Sequence, residues 1–155
     1  MVIREDITGT WLLVARGHDN PQDDQMLTDR YGDNPLGMLI ISPDGWMNAA
    51  LCSGSRPSLT ENPAWHTDAP DADRLLAFDT YLSYGGRWTL EDDVFSTKVE
   101  FALNPGWVGG TQIRKVELIE NGELKLSLSR EWPNGQIIHS WVQWQRASFS
   151  MTTVY

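Results

Sequence analysis

Apolar and polar residues alternate with a period of two through most of this chain, and Gly, Pro, Asn or Asp bounds each alternating run, as in half-buried strands joined by turns. Eight runs predict strands at about 10–16, 36–42, 46–53, 84–91, 94–103, 111–119, 123–130 and 136–146. One stretch breaks the alternation. Leu75, Phe78 and Leu82 fall at helical spacing and predict a short helix over 71–81, with Asp71 or Asp73 as its cap. If successive strands run up and down, the tight turns Pro43-Asp44-Gly45, Glu91-Asp92-Asp93 and Glu120-Asn121-Gly122 share one end, which should be shut. The long connections 17–35 and 54–80 join 104–110 and 131–135 at the other end, the expected mouth, where Trp65, Trp107, Trp132, His18 and His66 gather.

Gly9-Thr10-Trp11 opens the first run and Trp144-Gln145-Arg146 closes the last. If first and last strands pair, Arg146 can lie flat over the Trp11 ring as a cation on a π-face, a structural clamp at the floor. The expected fold is therefore all-β: a closed up-and-down antiparallel barrel of about eight strands with one short helix. Such a barrel either fills with side chains or keeps a pocket for one small ligand.

Taking the more apolar phase of each strand as interior places Trp11, Leu13, Ala15, Met47, Ala49, Leu51, Gly86, Trp88, Leu90, Val99, Phe101, Leu103, Val116, Leu118, Leu124, Leu126 and Leu128 inside. Tyr84, Thr97, Gln112, Arg114 and Arg130 are the polar exceptions. A buried guanidinium must be neutralised and hydrogen-bonded or it costs several kcal/mol. No inward strand position is a carboxylate, so the partner of Arg114 is a loop Asp or Glu, another oxygen, or a ligand. Arg114 and Tyr84 are the candidate catalytic groups. His139 is the remaining candidate base, although strand parity with Val142, Trp144 and Arg146 turns it outward unless a bulge intervenes. Gln112, Trp88, Phe101, Thr97, Leu126, Arg130 and Trp107 are the candidate ligand contacts.

Composition narrows the partners. The 155 residues are expected to form one domain over 1–155. A net charge of −9 without a basic run argues against nucleic acid. Cys52 is the only cysteine, no apolar run has membrane-spanning length, and the start Met1-Val2-Ile3-Arg4 lacks a signal-peptide core, so the expected location is the cytoplasm. No metal-ligand spacing, phosphate loop or nucleophile elbow is present, and no cofactor is expected. The eight tryptophans fit either core packing or the lining of an aromatic pocket.

The segments Gly9-Thr10-Trp11-Leu12-Leu13-Val14, Tyr31-Gly32, Pro35-Leu36-Gly37-Met38-Leu39, Pro43-Asp44-Gly45-Trp46-Met47, Tyr81 to Trp88, Val99-Glu100, Asn104-Pro105, Gln112-Ile113-Arg114 and Trp144-Gln145-Arg146 occur in an order that resembles the bacterial and fungal lipocalin-like domain family. The resemblance implies a lipocalin-like barrel and, for function, either ligand carriage or cofactor-free cyclase and isomerase chemistry. Family members often carry histidines just before Val-Glu; this chain has Thr97 and Lys98 there. Three readings remain. The first is a barrel binding one small apolar ligand, aromatic or polyketide-like, gripped at an oxygen or carboxylate by Arg114, Gln112 and Tyr84. The second is a cofactor-independent isomerase, cyclase or lyase working in the same pocket. The third is a filled barrel serving as an interaction module, and a homodimer is compatible with all of them.

Overall fold

The computed structural model describes residues 1–60, 65–131 and 134–148; Trp132 lies outside them. Eight antiparallel strands close into a barrel in sequence order: β1 (Gly9–His18), β2 (Leu36–Ile41), β3 (Trp46–Cys52), β4 (Tyr81–Glu91), β5 (Val94–Ala102), β6 (Thr111–Leu118), β7 (Leu124–Glu131) and β8 (Ile137–Arg146). Closure comes from β1 pairing with β8, which sets Trp11 opposite Arg146. The helix expected over 71–81 is present as α3 (Asp71–Asp79), ending where β4 begins, earlier than anticipated. Pro70 takes the cap position without a side-chain bond, while Asp73 accepts from the Thr60 amide and Asp71 pairs with Arg74.

Two helices were not expected from the alternation. The first, α1 (Arg4–Ile7), lies across the floor. Ile7 is fully buried there and its carbonyl accepts from Trp11 Nε1 at 2.8 Å. The second, α2 (Pro21–Tyr31), occupies much of the connection read as a long loop. Asn20 caps it by accepting from the Gln22 amide, Pro21 supplies the preset first helical φ, and Gly32, at φ 77°, ends it.

The closed end combines tight turns with stacked cations. Asp92 and Asp93 both take positive φ in the β4–β5 turn, a primed geometry that matches strand twist, and Asp93 Oδ1 accepts from the Val2 amide at 2.6 Å. The Arg146 guanidinium lies 4.2 Å from the Trp11 ring centroid and donates to the carbonyls of Thr8 and Asp6 at 2.7 and 2.6 Å. Arg4 covers Trp88 at 4.2 Å in the same way. Above this floor the core packs Leu39, Ile41, Met47, Phe95, Val99, Val116, Leu124 and Trp144.

Because Trp11 is fully buried, Trp11→Ala should destabilise the protein by about 3–5 kcal/mol. Arg146→Gln, which spares the core, should cost about 1 kcal/mol. Denaturant unfolding of both variants checks this, and near-equal losses would contradict the separation of core from cover.

Candidate functional site

Two bulges decide which side chains enter the upper barrel. In β1 the register against β8 shifts between Leu13 and Ala15, so Leu13 faces Trp144 but Arg16 faces Val142 and His18 faces Ser140. Paired residues in an antiparallel sheet share a face. Arg16 and His18 therefore join the inward phase of Val142, and Ala15, expected inside, pairs with Gln143 on the outer phase. Between β4 and β5 the register shifts at Gly85 and Gly86, pairing Gly85 with Phe101 and Gly86 with Val99. Phe101, expected as a ligand contact, consequently lies outside, half-exposed, with its ring over Gly85 where a Cβ would collide with it.

The polar residues expected to converge do so on β4, β5 and β6. Thr97 pairs with Gln112, and Arg114 pairs with the buried Phe95, so Gln112 and Arg114 share the inward face. Arg114 donates from Nη2 to Gln112 Oε1 at 3.2 Å and from Nη1 to the Ile113 carbonyl at 2.8 Å. Among the described residues no inward strand position is Asp or Glu, and no carboxylate pairs with Arg114. Tyr84 is 8% exposed and stacks edge-on against Trp107, 5.9 Å between centroids at 83°, so Trp107 from the β5–β6 connection roofs this corner. Burial pushes the Tyr84 hydroxyl above the ordinary tyrosine range, with the Arg114 charge opposing the shift. Thr97, 1% exposed, has no partner for its hydroxyl, and the Trp144 indole N–H is likewise buried without one. Leu126, buried beside Val116 and Val142, supplies apolar wall.

Other candidates fall elsewhere. His139 points outward, as parity with Trp144 requires, and its Nδ1 meets Ser129 Oγ at 2.6 Å, so it is no proton carrier for the interior. Trp88 belongs to the floor, since its Nε1 donates to the Ser42 carbonyl in the β2–β3 turn beneath Arg4. Arg130 pairs with Ile138 but stands exposed at the rim. Trp65 is exposed, and His66 borders a cleft of about 730 Å³ outside the barrel, between α3 and the β3–β4 connection. Leu103, expected inside, borders this cleft too, as do Leu76 and Phe78, which α3 leaves half-exposed.

Arg16 was missed because parity carried through β1 without a bulge puts it outside. Asn20-Pro21 and Gly32, a start and a stop signal, were enough to find the helix that covers it.

The family model for the lipocalin-like domain matches residues 8–147. No curated protein matches the chain. Among solved structures, bovine odorant-binding protein complexed with its natural ligand is 12% identical, with a TM-score of 0.48 over 97% of this chain and 77% of that one. The complex of bovine odorant-binding protein with a selenium-containing odorant is 13% identical, with a TM-score of 0.47 over 94% and 73%.

The folded state holds the Tyr84 proton more tightly than the unfolded chain does. Its contribution to stability is complete below the ordinary tyrosine value and is lost as pH rises through the higher folded value. Tyr31 is shifted the same way by burial. Stability should thus be lower at about pH 11 than at about pH 8, the fall beginning near the ordinary tyrosine value of about 10, and Tyr84→Phe should flatten part of that fall. Denaturant midpoints at both pH values provide the check.

Proposed function

The chain belongs to the lipocalin-like domain family, and on that premise we propose that its barrel binds one small apolar molecule, aromatic or polyketide-like, through an acidic or strongly polarised oxygen. The observation that supports this is the state of Arg114. Its side chain faces a largely apolar interior, yet among the described residues its hydrogen-bond partners are an amide oxygen and a neighbouring carbonyl. A guanidinium in that setting is costly until an anion neutralises it, and its fork of donors matches a carboxylate or enolate. Gln112 holds the fork from one side. The protonated Tyr84 hydroxyl and Thr97 hydroxyl offer further hydrogen bonds, and Leu126 and Trp107 supply apolar surface for the ligand body.

A second reading rests on Tyr84 in particular. Burial holds the Tyr84 proton, the Arg114 charge opposes that shift and so eases its release to a substrate oxygen, and Arg114 with Gln112 would stabilise an enolate as charge develops. That pairing suits a cofactor-independent isomerase, cyclase or lyase. Tyr84→Phe separates the readings: in a carrier it weakens binding by about tenfold or less and there is no turnover to lose, whereas in an enzyme it lowers turnover by about a hundredfold or more.

For the binding reading the probe is a naphthoate, followed by quenching of tryptophan fluorescence. Wild type should quench saturably, the neutral naphthalene methanol should bind less well, and Arg114→Leu should weaken naphthoate by about tenfold or more. Unchanged affinity in Arg114→Leu would sink the proposed grip.

A further inference from the structure

Arg16 enters the barrel only because the bulge at Val14 reverses the parity of β1. Its side chain is 11% exposed and sits in the same inward row as Val142. Nη2 donates to Thr28 Oγ1 at 3.2 Å, and Nη1 stands 3.8 Å from Asp24 Oδ1; both partners are on α2. Charge-assisted bonds of this kind run at about 2.7–2.9 Å, so Asp24 attracts Arg16 without bonding it. The Asp24 carboxylate is also 44% exposed, where solvent screens the pair. Arg16 Nε is buried with no partner. Among the described residues, this guanidinium with five N–H donors thus makes a single hydrogen bond while facing inward.

The second inward guanidinium, Arg114, is separated from Arg16 by β7 and β8. Three strand spacings amount to about 14 Å around the wall. The two heads serve different corners: Arg114 acts on Tyr84, and Arg16 on α2 and on the buried Tyr31. Two cations set apart on the inward face of the wall, with no inward carboxylate among the described residues, fit a ligand with an acceptor at each end.

We propose that Arg16 is the second anchor of the binding site, and that the ligand is an elongated apolar molecule with an acid at one end and a second acid or a keto oxygen at the other. The proposal rests on the reading of Arg114 as an acid grip. Asp24 holds the place of the ligand's far oxygen, which displaces it from Arg16 on binding.

The test compares naphthoate with a naphthalene dicarboxylate whose acids lie at opposite ends of the ring system, by calorimetry on the full chain. Wild type should bind the diacid about tenfold tighter or better. Arg16→Gln should abolish that preference while leaving naphthoate unchanged, and Arg114→Leu should weaken both. Asp24→Asn, which leaves Arg16 in place, should tighten the diacid alone. Asp29→Asn is the charge control on the same helix, since Asp29 accepts from Gln25 instead, and it should change neither. Equal weakening of both ligands by Arg16→Gln, or a diacid affinity unmoved by Asp24→Asn, would overturn the second anchor. Arg114-dependent binding of naphthoate without any diacid preference also overturns it and leaves the acid grip standing. Failure of wild type to bind either acid removes both.

Discussion

Trp11 beneath Arg146 is the contact from which the other parts take their positions, because it closes a sheet that would otherwise have two open edges. The same pair anchors the start of the chain. Trp11 donates to the Ile7 carbonyl while Arg146 takes the carbonyls of Thr8 and Asp6, so α1 is held flat under the barrel with Ile7 in the core. Arg4, carried on α1, then reaches Trp88 and the Pro43 carbonyl in the β2–β3 turn. A floor built this way is filled by side chains, and the inward polar groups lie in the upper half.

The seam that closes the barrel also sets its charge. A few residues above Trp11, the bulge at Val14 gives β1 one more residue than β8 at that point, and every side chain beyond it changes face. Without the bulge Arg16 would face outward and Ala15 inward. With it, the interior holds two guanidinium groups and, among the described residues, no carboxylate on an inward strand position. A guanidinium on an inward position carries a desolvation cost unless it is hydrogen-bonded and neutralised. The chain as a whole carries a net charge of −9, while the described inward strand positions carry no carboxylate.

The tryptophans show how one residue type serves several physical roles in a small barrel. Trp11, Trp88 and Trp144 are core. Trp46 and Trp141 lie on outer faces beneath Arg87 and Lys125, and the Trp141 ring fills the space over Gly17 where a Cβ would collide with it. Trp107 alone among those described meets the polar corner, through Tyr84. Their abundance therefore reflects packing and cation cover more than a shared aromatic lining.

Strand positions, the shut end and the clamp were legible in the sequence because a period of two, tight-turn residues and a Trp–Arg bracket are local signals that tertiary packing has little reason to override. Gln112, Arg114 and Tyr84 were legible for the same reason: no bulge interrupts the parity that carries them inward from Phe95 and Ala49. Local pattern could not supply the two register shifts. A bulge is a property of a strand and its partner together, and only the pairing of β1 with β8, and of β4 with β5, put Arg16 inside and Phe101 outside. The sequence by itself determined an up-and-down barrel, its shut end and an inward Arg114; the tertiary structure decided which second arginine shares the inward face, because strand register is settled between chain segments far apart in sequence.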